Sequence, residues 1–186
     1  MPSRLLIQTE RMVVKPLSYK ELDLIVAYYN ENKKHLERWE PERSADFYSV
    51  EFWKERIGQV DINYRLGKSI NFVALNKEMT EMIAACNFTN IIGGVFQACN
   101  MGYSVAKRFE GKGYMFEAAE AGIKHMFEEL DMHRIMAGYM PSNLKSAALL
   151  ERLGFEKEGY AKSYLKIAGR WEDHVLTSLV NRDHTE

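Results

Sequence analysis

The sequence predicts an α+β fold in mixed α/β layers, a central sheet covered by helices, with residues 1–186 forming one domain. Strand-like and helix-like stretches follow one another without the strict alternation of a parallel, doubly wound protein. Hydrophobic residues make up 46% of the 186 and charged residues 27%, which suits one sizeable core. At residues 101–117 a strand, a Gly-containing turn and an amphipathic helix follow in immediate succession, and the rest of the chain is organised around them.

Residues 11–17 alternate as a strand does, Met12 and Val14 facing one way and Val13 the other, with Pro16 at its end or on an edge. Ser18 and Glu21 form a capping box, so a helix starts near Tyr19 with Leu22, Ile25, Val26 and Tyr29 on its apolar face. A second, short helical piece over 33–38 ends at Trp39-Glu40-Pro41, because the residue before a proline avoids the helical region. Residues 40–49 are polar and aperiodic, a loop. Ser49 caps a helix with Trp53, Ile57, Val60 and Tyr64 on one face, and Gly67 stops it. Strands over 70–75 and 82–88 form a hairpin that turns at 76–80, and the Ile-Ile-Gly-Gly of 91–94 is a loop.

In the central stretch, Tyr103 and Val105 alternate with Gly102 and Ser104, and residues 108–113 turn. From Tyr114, Met115, Ala118, Ala119, Gly122, Ile123, Met126 and Phe127 recur at helical spacing as far as about Leu130. Residues 134–140 form a strand, Asn143 opens the last main helix and Gly154 closes it. Strands over 155–167 and 171–180 meet at the turn Ala168-Gly169.

A net charge of −1 supplies no field toward nucleic acid, so direct nucleic-acid binding is not expected. Cys86 and Cys99 lack metal-type spacing; buried free thiols in a reducing cytoplasm are expected, and no metal. No apolar run approaches ~20 residues, so no membrane span is expected. Residues 1–10 lack the apolar core of a signal peptide.

The glycines of Arg108-Phe109-Glu110-Gly111-Lys112-Gly113 remove side chains where a helix begins, and free amides there suit an anion, phosphate above all. A Gly-containing helix start without a ligand is the plainer alternative. The Rossmann spacing fails at Phe116, where a third Gly is needed, and the Walker spacing fails because Gly113 follows Lys112.

Arg108-x-x-Gly111-x-Gly113 opening a helix, then a strand, then Asn143-x-x-Ser146-x-x-Leu149-Leu150-Glu151-x-x-Gly154-Phe155 resembles the GNAT superfamily of acetyl-CoA-dependent N-acetyltransferases. Thr9-Glu10-Arg11-Met12-Val13-Val14-Lys15, Trp39-Glu40-Pro41, the run from Gly154 to Ala161, and Trp171-Glu-Asp-His-Val-Leu-Thr177 look like its branch that acetylates ribosomal-protein N-termini. The resemblance runs over nearly the whole chain. It implies a GNAT sheet, mostly antiparallel and splayed beside the 101–105 strand, with helices on both faces and acetyl-CoA in the gap. It implies cofactor contacts from Met101, Tyr103, Ser104, Val105, Arg108, Gly111, Lys112, Gly113, Tyr114, Met115 and Asn143. Within that set, the amides of 111–115 hold the pyrophosphate, Arg108 and Lys112 add charge at the rim, and the strand edge pairs the pantetheine arm. For Arg108 and Lys112 a solvated surface role is the alternative.

The implied activity is acetyl transfer to the N-terminal alanine α-amine of a ribosomal protein, in the cytoplasm. The residues leave two others open: acetylation of a small amine such as a polyamine or an antibiotic, favoured by the acidic loop Glu37, Glu40, Glu42, Asp46, and a CoA-binding module without catalysis. Many relatives carry a Glu two residues before the Gly-Tyr of the central strand; here that position is Asn100, which takes no proton at neutral pH. Glu40 and then Glu117 are the candidate substitutes for the base, against the alternatives of a solvated loop carboxylate for Glu40 and a partner of the helix dipole for Glu117. The Tyr that relatives place seven residues after the helix-start Asn is Leu150 here. Ser146, one helical turn earlier on the same face, is the expected donor to the departing sulfur, against the alternative of a hydroxyl bonded to backbone. Among the five histidines only His174 is worth following, and a satisfied strand histidine is the simpler reading. Oligomeric state leaves no signal in the sequence.

Overall fold

The computed structural model describes residues 5–184; residues 1–4 of the stretch searched for a signal peptide, and residues 185–186, lie outside them. The strands are β1 (Ile7–Gln8), β2 (Met12–Pro16), β3 (Ile70–Asn76), β4 (Met82–Ile92), β5 (Ala98–Val105), β6 (Arg134–Tyr139), β7 (Glu156–Ile167) and β8 (Arg170–Val180). The α-helices are α1 (Leu22–Leu36), α2 (Val50–Arg65), α3 (Tyr114–Glu128) and α4 (Leu144–Arg152). One sheet runs in the order β1-β2-β3-β4-β5-β6-β8-β7. Its neighbours pair antiparallel, except β5 and β6, which are parallel.

Strand alternation divides the core between two faces. Met12, Phe72, Phe88, Met126 and Leu150 fill the side that α3 and α4 cover. Tyr29, Trp53, Ile57, Val73 and Leu75 fill the side that α1 and α2 cover. Full burial of a side chain such as Phe72 or Phe88 contributes about 1.5–3 kcal/mol. Gly122 lets α3 sit directly on the sheet, since a Cβ there would stand 2.7 Å from the Phe88 ring. On the other face Tyr29 stacks on Trp53, with ring centroids 5.1 Å apart, and Phe47 closes against both.

The capping box is present: Ser18 Oγ donates to Glu21 Oε2 at 2.7 Å, and the Ser18 amide meets the same oxygen. It caps a 3-10 turn, Tyr19–Glu21, which runs directly into α1. The expected second helical piece over 33–38 is the end of α1, because nothing before Leu36 breaks the helix. Strand β4 continues through Ile91 and Ile92, read in the sequence as loop; a bulge with Asn90 at positive φ carries the strand past the irregularity. The loop over 40–49 contains a 3-10 turn, Ala45–Tyr48, that seats Phe47 in the core. Strand β1 has no signature in the sequence; two residues are too few for an alternation to show.

Candidate active site

Parallel pairing between β5 and β6 covers only Ala98–Arg134, Cys99–Ile135 and Asn100–Met136. Beyond it β5 stays bonded to β4, and β6 to β8. The facing edges of 101–105 and 137–139 therefore diverge, and a cleft of about 400 Å³ lies along the 103–105 edge, bounded by the start of α3 and by α4. This is the expected splay, and backbone groups on such an edge need a partner.

At one end of the cleft stands the N-terminus of α3. Gly111 and Gly113 have φ of +74° and +84°, a region other residues enter only with strain. The first bond of the helix runs from the Glu117 amide to the Gly113 carbonyl, and no side chain caps the terminus. The amides of Tyr114, Met115 and Phe116 thus have no intrahelical acceptor. Arg11 braces the loop from behind: Nη1 donates to the Lys112 carbonyl at 2.9 Å, and the guanidinium lies 4.2 Å from the Tyr114 ring centre. Nothing in the sequence marked Arg11 for this, since its partners lie about a hundred residues away.

Replacing Gly113 by valine is expected to abolish binding of a phosphate-bearing ligand here, because a side chain enters both the amide cradle and the space held by Arg11. Calorimetry with acetyl-CoA, beside a melting curve to confirm folding, checks it; unchanged affinity would reject the placement.

At the throat of the cleft, Tyr103 on β5 and Ser146 on α4 bring their hydroxyls to 2.6 Å. Asn143 caps α4 by accepting the Ser146 amide at 3.2 Å, which leaves Ser146 Oγ to Tyr103 rather than to backbone. Burial raises the Tyr103 phenol well above its ordinary value, against a smaller lowering by the Ser146 bond. The sequence pointed to Tyr103 as a strand residue and an implied cofactor contact; its side-chain partnership with Ser146 needs the fold. Leu150, where relatives place a tyrosine, lies in the core.

Glu40 lines the same cleft with Trp39, and Arg43 holds its Oε2 at 3.0 Å. The Ala168 amide on the β7–β8 turn donates to the Glu40 carbonyl at 2.9 Å and fixes this loop. Glu117 does not line the cleft. Its carboxylate faces Arg11, whose Nε donates at 2.7 Å; burial raises its pKa, but bonds from Thr9 and Arg11 outweigh that and keep it ionised. Arg108 is turned away too, paired with Glu81, and Lys112 is exposed. Lys145 and Arg152 line the cleft and stand where rim charge was expected. The Met101 side chain is in the core, so only its backbone reaches the split, whereas Tyr103, Ser104, Val105, Met115 and Asn143 line it. Ser104 Oγ meets Tyr28 at 2.8 Å. His174 is buried on β8 with Nδ1 3.0 Å from the Glu172 carbonyl, outside the cleft. Cys86 and Cys99 are buried free thiols, burial pushing each up to about 12.

Glu110 spans the mouth. Burial pushes its carboxyl up, but Lys145 at 2.7 Å and Lys107 at 2.9 Å prevail and hold it at about 2. Its folded pKa lies below the unfolded value near 4.5, so its contribution to stability is full above that pH and is lost as pH falls through about 2. The shift sets a ceiling of about 3 kcal/mol. Both lysines are mostly exposed, and screening reduces the contribution to about 1 kcal/mol. Denaturant titration should find Glu110→Gln less stable by about that amount at pH 7, with the gap narrowing below pH 4; a gap independent of pH would contradict the ion pairs.

A split mixed sheet with an uncapped, glycine-led helix at one end of the split is the architecture of an acyl-group transferase. The chain belongs to the GNAT acetyltransferase family, whose model, Acetyltransferase (GNAT) domain, matches residues 11–156. It is 43% identical over 177 residues to the [ribosomal protein uS5]-alanine N-acetyltransferase of Escherichia coli (strain K12), covering 95% of this chain and 91% of that one. The structure of ribosomal-protein-S5-alanine acetyltransferase from Vibrio fischeri superposes with a TM-score of 0.93 at 38% identity, over 98% of this chain and all of that one. Mycobacterium smegmatis RimJ in complex with CoA-disulfide superposes with a TM-score of 0.87 at 27% identity, over 94% of this chain and 84% of that one. Among the described residues no helix is long and apolar enough to cross a membrane.

Proposed function

We propose that the protein transfers the acetyl group of acetyl-CoA to the N-terminal α-amine of an alanine-starting ribosomal protein, in the cytoplasm and without a metal. The observation that carries this reading is the Tyr103–Ser146 hydroxyl pair at the throat of a cleft that begins at the free amides of α3. Similarity along the whole chain to ribosomal-protein-alanine acetyltransferases supports the choice of acceptor.

Acetyl-CoA supplies the acetyl group as a thioester, open to attack by an amine. The residues fit such a cosubstrate: the amides at 114–116 meet negative charge, and the open edge of β5 accepts an extended amide chain. Tyr103 keeps its proton and donates to Ser146, which frees the serine O–H to donate to the sulfur as charge develops there. Serine is a poor acid, so this is stabilisation by hydrogen bonding rather than full protonation. Glu40 stands at the cleft wall to take the proton that the amine loses. Asn100, on the last paired rung beside the split, exchanges no proton at neutral pH.

A polyamine needs a long anionic cleft. Here the lining carboxylates Glu40 and Glu110 are both in ion pairs, and Lys145 and Arg152 stand beside them, which supports a peptide terminus instead. The hydroxyl pair speaks for chemistry rather than binding alone. Thiol release from acetyl-CoA with an Ala-starting peptide, an N-blocked lysine peptide and spermidine tests the proposal; turnover of spermidine alone would reject it.

A further inference from the structure

On the α1/α2 face of the sheet, below the aromatic cluster, lies a second cavity of about 240 Å³. That is smaller than the roughly 300–1,000 Å³ of small-molecule sites and of a size for one side chain. Its lining is unusual for a chain of net charge −1: two guanidiniums, Arg43 and Arg56, and no carboxylate. Arg56 has no ion-pair partner among the described residues. Trp53 lines the cavity with its ring and is 6% exposed. Two guanidiniums and no carboxylate in the lining define a carboxylate site, since each guanidinium offers a forked pair of bonds.

The cavity is joined to the cleft in two ways. Arg43 spans from its wall to Glu40 of the cleft. The floor is continuous as well: Asn71, Asn87 and Gly102 are register partners across β3, β4 and β5, and alternation puts them on this face with Val73 and Ala85. Asn71 Nδ2 donates to Asn87 Oδ1 at 3.0 Å, and Gly102 is exposed with open space where a Cβ would stand. Gly102, one residue before Tyr103, thus lies on the same row of the sheet as the amide pair that floors the cavity. Strands lie ~4.8 Å apart, so the cavity floor is ~5–10 Å from Gly102, a distance that two or three residues of extended chain cover at ~3.3 Å each.

We infer that this cavity is a specificity subsite for the acceptor peptide, taking an Asp or Glu side chain at the third or fourth residue after the acetylated α-amine, through Arg56 and Arg43. The inference rests on the α-amine reading above. Because Arg43 is shared, occupation of the cavity draws it toward the incoming carboxylate and loosens its hold on Glu40.

Two Ala-starting peptides that differ only by Glu or Gln at residue four, with a second pair varied at residue three, test it by kcat/KM. Wild type should favour the Glu peptide of one pair by tenfold or more, mainly through KM. Arg56→Met should erase that preference and leave turnover of the Gln peptide unchanged. Arg56→Glu should reverse it toward a Lys peptide. Equal rates on Glu and Gln peptides in both pairs would overturn the subsite. So would a preference that survives Arg56→Met. Inhibition of both peptides by inorganic phosphate, lost in Arg56→Met and without any Glu preference, would assign the cavity to a free anion and equally overturn it. Turnover of the Gln peptides at any rate bears on the α-amine reading alone, so the two ideas fail separately.

Discussion

Ser146→Ala should lower kcat by roughly ten- to a thousandfold while acetyl-CoA affinity stays nearly constant, the range for losing one donor to developing charge. The serine lies at the throat rather than at the amide cradle, so its loss touches the transition state more than binding. Tyr103→Phe should give the same kind of loss, because the phenol orients the serine hydroxyl. The double variant should then be little worse than either single one, as expected of residues acting as a unit. Steady-state kinetics with calorimetry for acetyl-CoA measures all three. An unchanged kcat in Ser146→Ala would leave the hydroxyl as a packing partner of Tyr103 and nothing more.

The second large effect concerns which nitrogen is acetylated. An α-amine has a pKa of about 7.8 and a lysine amine about 10.4, so near pH 7 the α-amine is neutral roughly 300 times more often. With Asn100 at the position where many relatives carry a glutamate, the cleft's carboxylates among the described residues are Glu40, already held by Arg43, and Glu110, already held by Lys107 and Lys145. Such an enzyme depends on acceptors that are already partly deprotonated. It should prefer the α-amine by at least about 300-fold, and kcat/KM should rise toward pH ~7.8 and then level off. Alanine should be favoured at the first position over phenylalanine, because the amine must come within about 3 Å of a carbonyl held between two strands. Rates with Ala-, Ser- and Phe-starting peptides across pH 6–9 would show this. A profile still rising steeply at pH 9 would point to a lysine-like acceptor.

Much of this was legible in the sequence because it is local. Gly111 and Gly113 declare positive φ, Asn143 declares a cap, and alternation along 101–105 declares a strand. Ser146 was legible from the family resemblance, one helical turn before the position, Leu150, where that family often has a tyrosine. What was hidden depends on residues far apart in the chain. Arg11 braces the phosphate loop across about a hundred positions, and Tyr103 meets Ser146 across two elements. Arg108 failed as a rim residue because a carboxylate on the neighbouring hairpin, Glu81, competes for it. Glu117 reads as a free helix-start carboxylate until β2 brings Arg11 against it. The boundaries that moved, at Leu36 and Ile92, are places where tertiary contacts extend an element past a local signal.

One peptide tests the central claim most directly: an alanine N-terminus and a single internal lysine, incubated with acetyl-CoA and the protein near pH 7.5. Fragment-ion mass spectrometry locates the acetyl group. The structure predicts it on the alanine nitrogen, with lysine acetylation lower by about two orders of magnitude or more. Acetyl on the lysine, with the α-amine untouched, would contradict the account.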